Sequence, residues 1–149
     1  MKNIEFITSE DVKRPSFHRG LVRKWIESVA EVYGFRVGEL CYRFCSDEEI
    51  LQTNIQFLSH NYYTDIITFD DTMGNVLNGQ MLISLDTVRT NAEAFGSSYS
   101  KELLRVIIHG VLHLTGQKDK TPEDEAIMHQ KEDRALALLQ KMKKTFERK

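Results

Sequence analysis

Apolar residues recur along this chain with two different periods, and those periods predict where its strands and helices lie. Ile4 and Phe6 alternate with polar neighbours in residues 3–8, a spacing typical of a strand. Residues 17–33 carry apolar side chains three and four positions apart and are followed by Gly34, which predicts a helix and its end. The chain is therefore expected to open with a strand followed by a helix.

The same two periods predict a small sheet and several more helices. Further strands are predicted over residues 39–45, 64–70 and 80–85, and further helices over residues 46–57, 86–95, 100–115 and from Thr121-Pro122 onward. Ser46 and Glu49 form a capping-box pattern at the start of one helix. Turn residues fill the stretch 71–79, so the strands on either side of it should pair. These elements predict an α+β fold with a mixed sheet of about four strands.

Length and composition indicate one self-sufficient domain. The chain has 149 residues, of which 41% are apolar, so residues 1–149 should bury a core without disulfide support. Cys41 and Cys45 lie four apart on a predicted strand, a spacing too long for an easy bridge, and are expected to be reduced core thiols. A zinc role for this pair is the alternative, but no second Cys or His pair follows at finger spacing.

The sequence does not indicate export or membrane insertion. No charged-then-apolar segment opens the sequence, and its most apolar run, residues 106–114, is interrupted by two histidines. The expectation is a soluble cytoplasmic protein that does not enter a membrane.

The charge is nearly balanced overall but unevenly distributed. Twenty Lys and Arg against 22 Asp and Glu give a formal charge of −2, which argues against a nonspecific nucleic-acid coat protein. Basic residues nevertheless gather around the first predicted helix, where Arg19 and Arg23 lie one turn apart. We predict that these two arginines line a phosphate-facing groove, the alternative being an ordinary solvated helix face.

His109 and His113 carry the most specific chemistry in the sequence. They lie four residues apart inside the apolar run, so on a helix they share one face and can bind a single ion. Gly116 should end that helix, and Asp119 follows just past the turn as a third ligand. A lone histidine at such a position is usually a core residue bonded to a carbonyl, but two histidines at ligand spacing followed by an acid favour a metal site. Three protein ligands leave coordination positions open, as catalytic sites do.

Gly110 argues against a zinc peptidase. The peptidase signature H-E-x-x-H places its general-base glutamate directly after the first histidine, and this chain has glycine there. The residue that would deprotonate the attacking water is therefore missing from that position, and no other general base can be identified from the sequence.

Three blocks of the sequence resemble the YbeY family of metal-dependent endoribonucleases. Residues 109–116, HGVLHLTG, match the family's H-G-x-L-H-L-x-G motif. Asn54 to Phe57 and residues 64–69, TDIITF, match a second motif with its spacing preserved, and residues 79–84, GQMLIS, resemble a third. The blocks span about residues 54 to 120 in the family's order.

The chain departs from the family motif at four positions. Asp119 stands where the family has its third metal-binding histidine, and Lys118 stands where the family has an aspartate. Carboxylate oxygen is an acceptable zinc ligand at about 2.0–2.2 Å, so the site can tolerate this exchange. Lys118 and Lys120 flank Asp119 and offer cations to substrate phosphates. Leu58 replaces a family arginine and Gln80 a family aspartate, and His60 is a candidate to compensate for the arginine.

The resemblance implies a zincin-like α+β domain with the metal ligands on a central buried helix. It also implies a single-strand-specific endoribonuclease that acts in rRNA maturation, at the 3′ end of 16S rRNA, and in ribosome quality control. The expected cofactor is one divalent ion, Zn²⁺, with no nucleotide cofactor, and the expected partners are single-stranded RNA and the ribosome or one of its subunits. The residues alone lead only to a metal-dependent hydrolase. Two alternatives therefore stay open: a hydrolase of another bond, and a ribosome-associated RNA-binding factor with a structural metal.

Overall fold

The structure, a computed structural model, describes residues 3–58 and 64–147. Its elements in chain order are β1 (Asn3–Thr8), α1 (Arg19–Val32), β2 (Arg36–Cys45), α2 (Asp47–Leu58), β3 (Ile66–Asp70), β4 (Val76–Ser84), α3 (Leu85–Ala94), α4 (Tyr99–Leu114) and α5 (Pro122–Glu147). The predicted α+β fold is confirmed. His60 lies outside the described residues.

The four strands form one mixed sheet in the order β1-β2-β4-β3. Strands β1, β2 and β4 run parallel to one another, and β3 pairs with β4 in the antiparallel direction. The predicted mixed sheet of four strands is therefore confirmed, with β1 and β3 at opposite edges. This order matters for the candidate site, because only the β3 edge borders it.

The hairpin between β3 and β4 is tighter than the sequence pattern predicts. Met73 and Val76 exchange two backbone hydrogen bonds of 3.0 Å around Gly74, whose φ is 60°. The second pair of turn residues, Asn78 and Gly79, lies inside β4 instead. A Cβ at Gly79 would lie 2.6 Å from the Phe69 carbonyl oxygen of the paired strand, so this glycine permits a close strand approach. Of the two pairs of turn-forming residues, only the pair at Gly74 therefore forms the turn.

The start of α2 shows half of the predicted capping box. The Ser46 hydroxyl accepts a 3.3 Å hydrogen bond from the Glu49 N–H, as expected. The Glu49 carboxylate does not return to the Ser46 backbone but accepts from the Ser9 hydroxyl at 2.9 Å and pairs with Arg43 at 2.7 Å. Contacts with Ser9 and Arg43 have therefore replaced the expected bond from the Glu49 carboxylate to the Ser46 backbone.

Helix α4 is the buried centre of the fold, as its nearly continuous apolar sequence predicts. It packs on β3 and β4 on one side and on α3 and α5 on the other. Tyr42, fully buried on β2, donates a 2.9 Å hydrogen bond to the Ile107 carbonyl. Trp25 on α1 donates a 2.7 Å bond to the Ala135 carbonyl of α5. These two bonds fix the surrounding elements against each other while satisfying buried polar groups.

Cys41 and Cys45 lie on β2 as free thiols, Cys45 fully buried and Cys41 partly so. Burial raises the pKa of the Cys45 thiol to about 12. Both findings agree with the predicted reduced cysteines. In the parts of the chain described here, no helix has the length and apolar character needed to cross a membrane.

Candidate metal centre

The three predicted ligands meet at one point. The Nε2 atoms of His109 and His113 each lie 3.3 Å from Oδ2 of Asp119, and the two imidazole rings stand nearly perpendicular at 88° with centroids 4.4 Å apart. One donor atom from each residue lies within 4.8 Å of the other two. Among the described residues this is the one cluster of three such groups that could hold a metal ion.

Local sequence signals account for this convergence. His109 and His113 are one turn apart on α4, so they project from one face. The helix ends at Leu114 with Thr115 as its C-cap, and the next residue, Gly116, has a φ of 99°, which favours glycine. Two backbone bonds close the turn: Gly116 N–H to His113 O at 2.9 Å and Gln117 N–H to Leu112 O at 3.1 Å. This reversal returns the chain toward the histidines and places Asp119 against both Nε2 atoms.

Acceptor groups behind the rings fix which imidazole nitrogens face the cluster. The Gln117 carbonyl lies 2.9 Å from Nδ1 of His113, and a carbonyl can only accept, so that nitrogen carries the proton. Nδ1 of His109 lies 2.6 Å from Oε2 of Glu132, which likewise accepts. In this tautomer Nδ1 carries the proton and the lone pair of each Nε2 is directed toward Asp119. A histidine that binds a metal through Nε2 requires this tautomer.

Glu132 is the main site residue that the sequence pattern did not indicate. It lies on α5, is 2% exposed, and uses both carboxylate oxygens. Oε2 accepts from His109, while Oε1 pairs with Arg105 at 2.9 Å and with Nδ1 of His129 at 3.2 Å. Burial alone would raise the pKa of this carboxyl, but its bonds to His109 and Arg105 lower it below the usual value. Glu132 is therefore an anion that orients His109.

The two histidines have opposite pKa shifts. Burial lowers the pKa of His113, and the charge of neighbouring His109 lowers it further, so His113 is neutral at pH 7. Burial also disfavours protonated His109, but the hydrogen bond and charge of Glu132 outweigh it and raise the pKa. A proton therefore competes with a metal ion at His109 before it does so at His113 as the pH falls.

The donor set fits a tetrahedral divalent ion. Two ligands that each lie about 2.0–2.1 Å from a tetrahedral ion stand about 3.3 Å apart. The two separations from Asp119 to the imidazoles are each 3.3 Å. The carboxylate oxygen is therefore already at the spacing from each imidazole nitrogen that coordination needs.

Gly110 lies where α4 packs closely against two side chains of the sheet. A Cβ at this position would lie 2.7 Å from Met81 Sδ and 3.1 Å from Ile66 Cδ1. A larger residue here, such as the glutamate of H-E-x-x-H, would displace the Met81 and Ile66 side chains. The glycine that argues against a zinc peptidase in the sequence therefore also fits the packing of α4 on the sheet.

An open cavity of about 400 Å³ lies beside the ligands. Besides the three ligands it is lined by Thr64, Asp65, Ile66, Thr68 and Asp70, from β3 and the residues just before it. A larger cavity of about 1000 Å³ lies on the other side, between α3, α4 and α5, and shares Asp65, His109 and Asp119 with the first. The metal cluster therefore stands where two cavities meet.

The predicted RNA-binding residues occupy two separate places. Lys118 and Lys120 are exposed and flank Asp119 in the sequence. Arg19 and Arg23 lie against β1: both guanidinium groups contact the Phe6 ring, and Arg23 Nε donates to the Ile4 carbonyl at 2.9 Å. Because β1 and β3 are opposite edges, about three strand spacings of 4.8 Å separate this pair from the cavity.

The contact between Glu132 and His109 gives a first prediction. Replacing Glu132 by glutamine removes the anion that orients His109, so we expect metal affinity to fall about 10- to 100-fold. The measurement is a competition titration with a metal-binding dye. Asp133→Asn is the matched control, because Asp133 also pairs with Arg105, at 2.8 Å, but is 66% exposed and does not contact a ligand. If Glu132→Gln and Asp133→Asn bound the metal ion with equal affinity, Glu132 would not support the site.

Comparison with known proteins supports one assignment. A family model described as Endoribonuclease YbeY matches residues 3–140. The Endoribonuclease YbeY of Parabacteroides distasonis is 55% identical over 131 residues, which are 88% of this chain and 92% of that protein. That of Porphyromonas gingivalis is 54% identical over 140 residues, 94% of this chain and 92% of that protein.

A solved structure agrees at the level of the fold. The solution structure of TM1509 from Thermotoga maritima superposes with a TM-score of 0.65 at 24% identity, covering 96% of this chain and 93% of that one. The fold, a cluster of three metal-ligand groups and a family match over nearly the whole length therefore agree: the chain belongs to the YbeY family of endoribonucleases.

Proposed function

We propose that this endoribonuclease hydrolyses single-stranded RNA with one zinc ion held by His109, His113 and Asp119. Its proposed setting is the cytoplasm, where it acts with the ribosome in rRNA maturation, including that of the 16S 3′ end, and in ribosome quality control. We also propose that residues 1–149 act as one domain. The observation that carries the proposal is the triangle of two imidazole nitrogens and one carboxylate oxygen at an open cavity.

The chemistry required is attack of water on phosphorus. A divalent ion at this position supplies Lewis acidity, both to a phosphoryl oxygen and to a water molecule. Lys118 and Lys120, exposed beside Asp119, compensate charge on the substrate phosphates. Two acceptors, Glu132 and the Gln117 carbonyl, hold the imidazoles in the ligand tautomer throughout.

Asp65 is the proposed acceptor of the proton from the attacking water. It lines both cavities at the cluster without being one of the three ligands. Two other carboxylates at the cluster are engaged elsewhere: Glu132 holds His109, and Asp70 accepts from the Thr72 N–H at 2.8 Å. Burial raises the pKa of Asp65 above the usual value for an aspartate, which makes the carboxylate a better base.

A second prediction follows for Asp65 and pH. A base works only when deprotonated, so kcat should fall as the pH drops through the raised pKa of Asp65. In Asp65→Asn this fall of kcat at low pH should disappear from the pH profile. At pH 7 the kcat should be about 10²- to 10⁴-fold lower than in the wild type, while the metal content stays unchanged. Asp70→Asn is the control from the same cavity. Wild-type kcat in Asp65→Asn would rule out the assignment.

A cleavage assay with chelation tests the proposed function as a whole. Single-stranded and duplex RNAs of one sequence are incubated with the protein before and after metal removal, while circular dichroism follows the fold. We expect cleavage of the single strand only, loss of activity with the fold retained on chelation, and recovery with zinc. A protein that unfolds on chelation would instead contain a structural metal. Cleavage that persists without metal would exclude metal-dependent hydrolysis.

A third prediction concerns Arg19 and Arg23, which we propose bind RNA phosphates away from the cleaved bond. Burial lowers the pKa of Arg19, and the positive charges of nearby Arg14 and Arg23 lower it further. Replacing both arginines by alanine should weaken RNA binding and reduce the salt-dependence slope by about 1.4, since each phosphate contact in single strands contributes about 0.7.

The control for that variant changes the net charge equally. Lys143→Ala with Lys144→Ala removes two positive charges from an exposed part of α5. If this pair and the arginine pair change affinity and slope equally, Arg19 and Arg23 act only through net charge. Unchanged affinity of the arginine variant at low salt would identify them as an ordinary solvated helix face.

A further inference from the structure

The larger cavity beside the metal cluster is lined by a carboxylate that accepts no hydrogen bond from the described residues. Glu102 lines this cavity and is 6% exposed, on the first turn of α4. The nearest arginine in sequence, Arg105, is bonded to Glu132 at 2.9 Å and Asp133 at 2.8 Å and acts on Glu102 only through its charge. The Glu102 oxygens are open to the cavity and not sealed inside the protein. The cavity therefore offers a strong acceptor to a ligand that carries a donor.

The cavity has the position and the size of a nucleotide subsite. It is about 1000 Å³ in volume and shares His109 and Asp119 with the metal cluster, so it begins where a scissile phosphate would lie. Its carboxylates, including Asp65 and Glu102, disfavour a phosphate inside it. They favour a neutral group that carries N–H donors, which is what the edge of a nucleobase provides.

Phe95 provides a stacking surface at the same cavity. It ends α3, lines the cavity, and is 72% exposed, which is unusual for a large aromatic side chain. Unstacked bases of single-stranded RNA commonly bind on exposed aromatic rings. Lys101 lines the same cavity and offers a cation to the backbone of the bound nucleotide.

We propose that this cavity binds one nucleobase next to the cleaved phosphate, with its face on Phe95 and its edge on the Glu102 carboxylate, and that it prefers guanine. A carboxylate is an acceptor with two oxygens, and guanine presents two adjacent donors on its Watson–Crick edge, N1–H and the N2 amino group. Uracil, cytosine and adenine place an acceptor beside their donor, which a carboxylate repels. The proposal rests on the endoribonuclease function proposed above and adds base selection to it.

The experiment compares single-stranded oligouridines of equal length with one internal residue replaced by guanosine, adenosine or cytidine. We expect wild-type kcat/KM for the bond next to guanosine to exceed that for uridine by about tenfold. Glu102→Gln should reduce this ratio to about twofold or less, because an amide offers one acceptor and one donor. Phe95→Ala should weaken binding of all four strands.

Two controls isolate the subsite from general effects. Glu93→Gln changes an exposed glutamate on α3 that does not line the cavity, and Phe146→Ala removes an exposed aromatic ring near the end of α5. Both should retain the guanine preference. Equal cleavage next to all four bases in the wild type, or an unchanged preference in Glu102→Gln, overturns the proposal while leaving the ribonuclease function intact.

A binding measurement keeps the two proposals separable if RNA is not cleaved. Guanosine and uridine 5′-monophosphates are titrated into the wild-type protein and into Glu102→Gln, and amide chemical shifts of the cavity residues are followed by NMR. Guanosine-selective shifts that are lost in Glu102→Gln support the subsite even without cleavage. Shifts that do not depend on the base or on Glu102 overturn it.

Discussion

Replacing His113 by alanine is expected to remove the metal ion and the ribonuclease activity together. His113 supplies one of three protein donors, and its Nε2 atom lies 3.3 Å from Asp119. Two remaining ligands hold a divalent ion poorly. Loss of a direct ligand should therefore reduce metal affinity by more than the roughly 10- to 100-fold expected for an outer partner such as Glu132. Metal analysis of the purified protein beside a cleavage assay measures both effects.

His18→Asn is the control for that substitution. His18 caps the N-terminus of α1, where its Nδ1 accepts a 3.0 Å bond from the Leu21 N–H, and asparagine preserves this cap. The variant should keep one metal ion and full activity. If His113→Ala bound metal as tightly as the wild type, His113 would not be a ligand.

The ligands could be predicted from sequence because short-range rules position them. Helical periodicity places His109 and His113 on one face, and a glycine with positive φ at position 116 ends the helix where the pattern predicts. Asp119 follows within three residues of that turn. Every step of this construction depends on neighbours in the chain. The strands and helices follow from the same local periodicity, which explains why the α+β fold was also predictable.

The supporting residues could not be predicted because tertiary packing brings them together. Glu132 contacts His109 across 23 positions of sequence, and only the packing of α5 on α4 creates that contact. On its own helix Glu132 resembles any other charged residue, and nothing local distinguishes it from exposed Asp133. Asp65 and Glu102 come to the cavity on different elements for the same reason. Sequence pattern therefore predicted the three candidate ligands but not the groups that contact them or line the cavity beside them.

Asp119 is the ligand at which this chain departs from its family motif, and two substitutions test it. Asp119→Ala should lose the metal, because Oδ2 of Asp119 lies 3.3 Å from the Nε2 atom of each imidazole. Asp119→His should retain the metal, since imidazole is an equally acceptable zinc ligand. It also replaces an anionic ligand by a neutral one, so the net positive charge at the centre rises. The attacking water should then ionise at lower pH, and the pH profile of RNA cleavage should shift downward.

Glu123 and Asp124 are the internal controls for Asp119. Both lie in the first turn of α5, where helix N-termini favour acids, and the Asp124 N–H is bonded to the Thr121 hydroxyl at 3.0 Å. Glu123→Ala and Asp124→Ala should therefore keep one metal ion per chain. Loss of metal from Glu123→Ala with retention in Asp119→Ala would mean that the third ligand is misassigned. Retention in all three variants would indicate a ligand distant in sequence, such as His60. Only selective loss in Asp119→Ala, with recovery in Asp119→His, supports a carboxylate as the third ligand.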